Sequence, residues 1–228
     1  MGKMTIGQMI AQLGSGMLIS TQIFVITLLF SLPLGLVVAF GRMSKNRVIS
    51  MIVKFYISIM RGTPLMLQLM VVYFGPYYLF HIKVGSSYRL TATFIGFVIN
   101  YAAYFAEIYR SGIQSMPVGQ YEAAQILGYN KAQTFFKIML PIARPGILTA
   151  AMLAFMNYWN EYYWASMVLT TKELKTVPAI LAQFQNAFST NYNGMFSAIV
   201  VILLPPVILF CCFSKYFIEA LSGGAVKG

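Results

Sequence analysis

The chain has 228 residues, of which 59% are hydrophobic and only 9% are charged. A water-soluble domain of this size usually has about a quarter of its residues charged, so the composition argues against a soluble globule and indicates a membrane protein. Lys and Arg total 16 against 5 acids, which gives a net charge of +11. These basic residues lie singly in short loops and not in one patch, which favours membrane topology over nucleic-acid binding.

Five apolar segments are long enough to cross a bilayer core, which needs about 20 residues per helix. We predict an all-α membrane protein with spans at 17–40, 48–80, 90–106, 145–160 (continuing past Glu161) and 192–214. The segment 48–80 would reach about 50 Å as one straight helix, well beyond the ~30 Å core. Because Pro64 lacks an N–H group and disrupts the preceding turn, we expect a kinked or broken helix at Arg61–Pro64.

The basic residues predict the orientation of the five spans. With the N-terminus outside, ten Lys and Arg residues fall on the inner side and five on the outer side, with Arg61 left uncounted. Cytoplasmic loops carry the excess of basic residues, so we predict an N-out, C-in topology. Residues 116–141 then lie in the cytosol.

The 116–141 segment is polar in an otherwise apolar chain and contains QYEAAQILGYNKAQTFFKIMLP. Residues 122–127 are predicted to form a short helix that ends at Gly128. Asn130 followed by Gln133 is typical of an N-cap with its reciprocal partner, which opens a second short helix. We expect Leu140–Pro141 to end that second helix.

Two short helices turned about Gly128 would present Ala123, Ala124, Ile126 and Leu127 near the cytosolic surface. Two interpretations of this surface stay open on physical grounds alone. The helix pair docks into a groove on another protein, or it lies against lipid headgroups.

The 116–141 segment also matches the pattern EAA-x3-G-x9-I-x-LP, and it resembles the EAA loop of the membrane subunits of bacterial ABC importers. The matching residues are Glu122, Ala123, Ala124, Gly128, Ile138, Leu140 and Pro141. The resemblance implies a type I ABC importer permease fold, with one transmembrane permease domain over 1–228 and a coupling loop at about 116–141. It also implies that Glu122, Ala123, Ala124 and Gly128 couple the permease to an ATPase.

The resemblance implies a set of partners in a bacterial cytoplasmic (inner) membrane. These are two ATP-binding cassette ATPase subunits, a second permease subunit (identical or similar) and an extracytoplasmic solute-binding protein. The chain itself has no GxxxxGK[ST] motif, so we expect it to be a transport subunit that neither hydrolyses ATP nor needs a cofactor. A membrane enzyme using Glu161 or Glu107 would lack partner residues, and a passive channel has no use for an ATPase-docking loop. His81 stands alone, so no metal site is expected.

The two halves of the chain resemble different importer subfamilies. Arg61–Leu65 and Ile99–Ala124 look like polar amino acid permeases. The stretches AFMNYWNEYYWASMVL and SGGAVKG look like carbohydrate permeases, and the change falls near Pro141. A natural hybrid and an engineered fusion both stay open. A polar amino acid is the first choice of solute, and a sugar or polyol is the alternative.

Four polar side chains are candidates for lining the solute path. Asn157 and Glu161 are four residues apart and share a helix face, with Asn160 adjacent to that face. They would offer acceptors and a negative charge to a polar or cationic solute, or else hydrogen-bond between helices. Asn100 in the third span either lines the path or bonds a neighbouring backbone.

The remaining charges inside the spans are expected to be paired. Glu107 and Arg110 are three residues apart and can form a local helix pair, while Arg61 could instead pair with Glu107 across helices. Either arrangement neutralises charge near the membrane edge, where an unpaired charge is costly. The aromatic residues between Tyr158 and Trp164 are expected to form an interfacial belt.

Overall fold

The computed structural model describes residues 6–85, 87–160, 163–169, 174–182 and 192–225. Within these ranges every regular element is helical, which confirms the predicted all-α class. The elements are α1 (Ile6–Arg42), α2 (Arg47–Gly62), α3 (Leu65–Phe80), α4 (Tyr88–Gln114), α5 (Val118–Ile126), α6 (Lys131–Thr134), a π-helical turn (Phe135–Met139), α7 (Leu140–Trp159), α8 (Tyr163–Val168), α9 (Val177–Leu181) and α10 (Tyr192–Ala225).

Four helical stretches of the described chain are long and apolar enough to cross a membrane: Ile10–Arg42, Tyr88–Gln114, Lys131–Asn157 and Met195–Lys215. The bent pair α2 and α3 makes a fifth if it is counted as one span. The predicted number of five spans agrees with this upper count. The N-out, C-in orientation stays a prediction.

The predicted break in the second span is confirmed. The axes of α2 and α3 differ by 111° across Gly62–Pro64. The Gln68 amide nitrogen donates to the carbonyl and the hydroxyl oxygen of Thr63 at 3.1 and 2.8 Å. The Thr63 oxygens at the break thus accept hydrogen bonds from Gln68, in place of the bonds that a continuous helix would provide.

The prediction that Leu140–Pro141 ends a helix is wrong. The helical path runs from Lys131 to Trp159 through the π-helical turn. The amide of Leu140 donates to the carbonyl of Phe135, five residues back. A wider π turn changes the hydrogen-bond ladder just before Pro141, where a donor is missing, so the helix accommodates this proline without stopping.

The internal contacts of the chain divide it into two compact units, each assembled from discontinuous segments. Unit 1 takes its residues from 1–29, 63–98 and 152–212, and unit 2 from 30–62, 99–151 and 213–228. One permease domain over 1–228 stays a prediction.

Unit 1 has an aromatic core. Phe155, Trp159 and Val177 are buried together. The rings of Phe24 and Phe155 meet edge to face with centroids 4.9 Å apart, a favourable arrangement of ring quadrupoles. The Trp159 indole N–H donates to the carbonyl of Ile202 at 3.2 Å, so its one polar group is satisfied inside the core.

The expected interfacial belt is wrong for both tryptophans of this region. Trp159 is 3% exposed and Trp164 is 1% exposed. The Trp164 indole donates to the Thr93 hydroxyl at 2.8 Å, so a buried partner takes the place of the interfacial water that a belt residue would use. The side chains of Tyr158, Tyr162 and Tyr163 lie outside the described part of the chain.

In unit 2, α4 lies close to α1 and to α7 at glycine positions. A Cβ added at Gly35 of α1 would lie 2.8 Å from the Cβ of Phe105 and 3.0 Å from the carbonyl oxygen of Ala102 in α4. A Cβ at Gly112 of α4 would lie 3.1 Å from the Cβ of Ala143 in α7. Small residues let membrane helices approach closely, so α4 is packed against both α1 and α7.

Candidate functional site

The first helix of the 116–141 segment, α5, ends in a glycine-dependent cap. Gly128 has a φ of 72°, in the left-handed region that other residues rarely adopt. Its amide donates to the carbonyl of Gln125 at 2.9 Å, and the amide of Tyr129 donates to the carbonyl of Ala124 at 2.9 Å. This pair of bonds is the Schellman motif of helix C-termini. The prediction that Gly128 ends the helix is confirmed.

The second helix of the segment begins at the predicted capping box. The Asn130 side chain accepts from the Gln133 amide at 2.8 Å, and the Gln133 side chain accepts from the Asn130 amide at 2.9 Å. The Lys137 ammonium lies 5.0 Å from the centre of the Tyr129 ring, a cation–π distance. The turn between α5 and α6 is therefore fixed from both sides by local hydrogen bonds.

The outer surface of α5 is partly apolar. Ile126 is 87% exposed, and Glu122 and Ala123 are exposed beside it. Ala124, however, is fully buried at 0% exposure, so the expectation that it lies on the surface is wrong. Its carbonyl accepts the hydrogen bond from the Tyr129 amide that closes the helix end.

The inner surface of the segment packs on the helices of unit 2. Met116, Phe135 and Met139 form a buried cluster. Leu36 of α1 and Ile113 of α4 pack against this cluster. The segment is therefore packed directly against α1 and α4.

The ionic contacts in unit 2 include the predicted local pair. The Arg110 guanidinium binds the Glu107 carboxylate, with Nη2 and Oε2 2.7 Å apart, and it also donates to the Gln114 side chain at 2.6 Å. Glu107 thus forms its ion pair with Arg110 and not with Arg61, so the cross-helix pairing of Arg61 with Glu107 is wrong. The Arg61 guanidinium instead lies over the Tyr104 ring, 5.5 Å from its centre.

Asn100 bonds a neighbouring backbone, one of the two roles expected for it. Its amide nitrogen donates to the Met60 carbonyl at 3.0 Å. In a continuous helix that carbonyl would accept from residue 64, but Pro64 has no N–H, so Asn100 supplies the missing donor. The sequence did not reveal the adjacent bond from the Tyr56 hydroxyl to the Ile99 carbonyl. The sequence feature that could have indicated this bond is the position of Tyr56 on the protein-facing side of the amphipathic helix α2.

The other candidates for the solute path are not brought together within the described residues. Asn157 is exposed. Asn160 is also exposed, and its side chain donates to the carbonyl of Met156 in its own helix at 2.8 Å. Glu161 lies outside the described residues. No three His, Cys, Asp or Glu side chains of the described chain lie close enough together to hold a metal ion.

Comparisons with known proteins agree with this architecture. A family model described as "Binding-protein-dependent transport system inner membrane component" matches residues 31–222. A solved structure described as an amino acid ABC transporter with histidines has a TM-score of 0.70 at 23% identity, over 94% of this chain and 98% of that chain. At this identity the likeness establishes the fold.

Curated relatives come from two groups of transporters. The arabinooligosaccharides transport system permease protein AraQ of Bacillus subtilis is 32% identical over 154 residues, which are 66% of this chain and 53% of AraQ. The putative glutamine transport system permease protein GlnP of Rickettsia prowazekii is 35% identical over 153 residues, which are 67% of this chain and 69% of GlnP. The match thus spans about half the length of AraQ. Because the family model covers most of the chain, the protein belongs to the family of inner-membrane components of binding-protein-dependent transport systems.

Proposed function

We propose that this protein is the permease subunit of an ABC importer and that the 116–141 segment is its contact with an ATPase subunit. The observation that carries the proposal is the exposed apolar tip of α5, above all Ile126, on a turn fixed by Gly128 and by the Asn130–Gln133 capping box. An apolar side chain held on a rigid polar segment suits a groove on a partner protein.

The proposed assembly contains two such permease subunits, two ATPase subunits and an extracytoplasmic solute-binding protein. The second permease is an identical or similar chain, because a five-span subunit encloses too little space for a gated path. ATP hydrolysis takes place in the ATPase subunits, since this chain has no phosphate-binding loop. The chain therefore acts as a transporter subunit and not as an enzyme.

The packing of the segment supports a direct mechanical coupling. The buried cluster of Met116, Phe135 and Met139 joins the segment to α1 and α4. A displacement of α5 by a closing ATPase dimer would then be carried into those helices as a rigid movement. Alternation between inward-open and outward-open states would follow from that movement.

A polar amino acid is the proposed solute, and a sugar or polyol is the alternative. The amino acid is favoured by the first half of the sequence and by GlnP. The sugar is favoured by the second half and by AraQ. Asn100, Asn157, Asn160 and Glu161 stay candidates for contact with the solute during the transport cycle, because polar groups inside membrane helices usually face a path or a partner.

A charge placed on the tip tests the contact with the ATPase. We expect Ile126→Asp to abolish co-purification of the ATPase, because a carboxylate buried in an apolar groove without a partner loses several kcal/mol. Ile126 is 87% exposed, so the substitution leaves the fold intact. The matched control is Gln120→Asp, which adds the same charge at another exposed position of α5. Equal ATPase binding by the two variants would contradict the proposal.

ATP-driven uptake into proteoliposomes tests the solute. The reconstituted system contains the permease, its ATPase and its binding protein, and radiolabelled glutamine and arabino-oligosaccharides are offered separately. We expect uptake of the amino acid. Uptake of the oligosaccharide alone would establish the alternative, and uptake without ATP would contradict an importer of this class.

A further inference from the structure

A groove of about 420 Å³ opens on unit 2 beside the start of α7. Its walls are mainly apolar and include Leu32 of α1, Phe136 of the π-helical turn and Leu148 of α7. Tyr109 of α4 adds an aromatic ring, and Arg144 of α7 is the charged group of the lining. Among the described residues of the lining, Arg144 is the one that carries a charge, and the others are mainly apolar.

The π-helical turn shapes this groove. Phe135 and Met139 point into the buried cluster of unit 2, while Phe136 is 60% exposed and faces the groove. On the other side, the close contact of Gly112 with Ala143 sets α4 against α7. The groove is thus a built feature of the helix packing, and π turns are frequent at functional sites.

Arg144 lies in the first two turns of α7, just before its uncharged part. It is the last charged residue before the run 145–157, which contains no charge. A basic side chain at the end of an apolar run extends toward the lipid phosphates. An arginine guanidinium also matches the geometry of phosphate oxygens with two parallel hydrogen bonds.

We propose that this groove binds an anionic glycerophospholipid from the leaflet nearest the 116–141 segment. Arg144 binds the headgroup phosphate, and an acyl chain lies along the apolar wall that contains Leu148. Basic pockets between membrane helices recognise anionic headgroups in this way. Lipid binding concerns a different surface from the tip of α5, so this proposal does not depend on the contact with the ATPase.

Native mass spectrometry of the purified full-length chain tests the proposal. The protein is equilibrated in detergent with phosphatidylglycerol or with phosphatidylcholine, and bound lipids are counted. We expect retention of phosphatidylglycerol and not of phosphatidylcholine. Arg144→Gln should weaken that retention roughly fivefold, the factor that corresponds to one basic residue near an anionic surface. Leu148→Trp, which fills the groove, should weaken it as well.

The matched control is Arg47→Gln, which removes an exposed positive charge at the start of α2, away from the groove. It should retain phosphatidylglycerol as the unmodified chain does. Unchanged retention in Arg144→Gln, equal retention of phosphatidylcholine, or an equal loss in Arg47→Gln would overturn the proposal. Thermal melting verifies that each variant is folded. If Leu148→Trp does not fold, the result for Arg144→Gln, a substitution at an exposed position, decides the test.

Two further experiments distinguish a bound lipid from other occupants of the groove. Inorganic phosphate should not displace the bound phosphatidylglycerol, and displacement at millimolar concentration would indicate a site for a soluble anion. A Leu148→Cys variant, with Cys211 and Cys212 replaced by Ser, should stay unlinked under oxidation. A disulfide-linked pair of chains would show that a second copy covers the groove and would overturn the proposal.

Discussion

Substitution of Gly128 tests the role of the 116–141 segment, because an added side chain there strains the backbone without a steric clash. No atom lies within 4 Å of a Cβ added there, so a side chain meets open space. The φ of 72°, however, is unfavourable for a residue with a Cβ. Such a residue in the left-handed region costs roughly 1–2 kcal/mol, and branching at Cβ adds to the restriction.

For Gly128→Val this energy corresponds to a shift of about five- to thirtyfold away from the native turn. The expected result is a chain that inserts in the membrane but delivers less solute per ATP hydrolysed. The assay measures ATP hydrolysis and solute uptake together in proteoliposomes. Gly128→Asn should lose less, since Asn tolerates the left-handed region.

Gly119→Ala is the matched control for the added side chain. It also meets open space, but it lies within α5, where Ala stabilises the helix by up to about 1 kcal/mol. Its uptake per ATP should equal that of the unmodified chain. Full uptake per ATP by Gly128→Val with the ATPase bound would refute the reasoning.

Other substitutions test the packing and the path. Gly35→Ala should lower the free energy of unfolding by about 1–3 kcal/mol, because α4 leaves no room for a methyl group. Gly14→Ala is the control, because a Cβ there meets nothing within 4 Å. Equal melting temperatures of the two variants would be evidence against the close contact. Asn100→Leu should lower the free energy of unfolding by about 0.5–1.5 kcal/mol, because it removes the hydrogen bond from Asn100 to the Met60 carbonyl; unchanged melting would show that the bond is dispensable. Glu161→Gln should reduce uptake more than ATPase assembly, and unchanged uptake kinetics would return that residue to a packing role.

Local chemistry made part of the structure predictable. Gly128 and the pair Asn130–Gln133 act through hydrogen bonds to neighbours within five residues, so their roles follow from residue type and spacing. The break near Pro64 follows in the same way from a missing N–H. The structure agrees with the sequence at all of these positions.

Features that depend on distant contacts were harder to predict. The burial of Ala124 does not follow from its place in the sequence pattern. The persistence of the helix through Pro141 depends on a π turn that no local pattern predicted. Trp159 and Trp164 are typical belt residues by composition, but they find hydrogen-bond partners 43 and 71 residues away. Such partners are set by tertiary packing, which a single sequence does not display.

The most direct test of the central claim is a cross-link from the tip of α5. With Cys211 and Cys212 replaced by Ser, Ile126→Cys carries a short thiol-specific photo-cross-linker in the full transporter. The account predicts a covalent product with the ATPase subunit, which increases or decreases when ATP is added. Products with lipid alone, at the same yield with and without the ATPase, would contradict it.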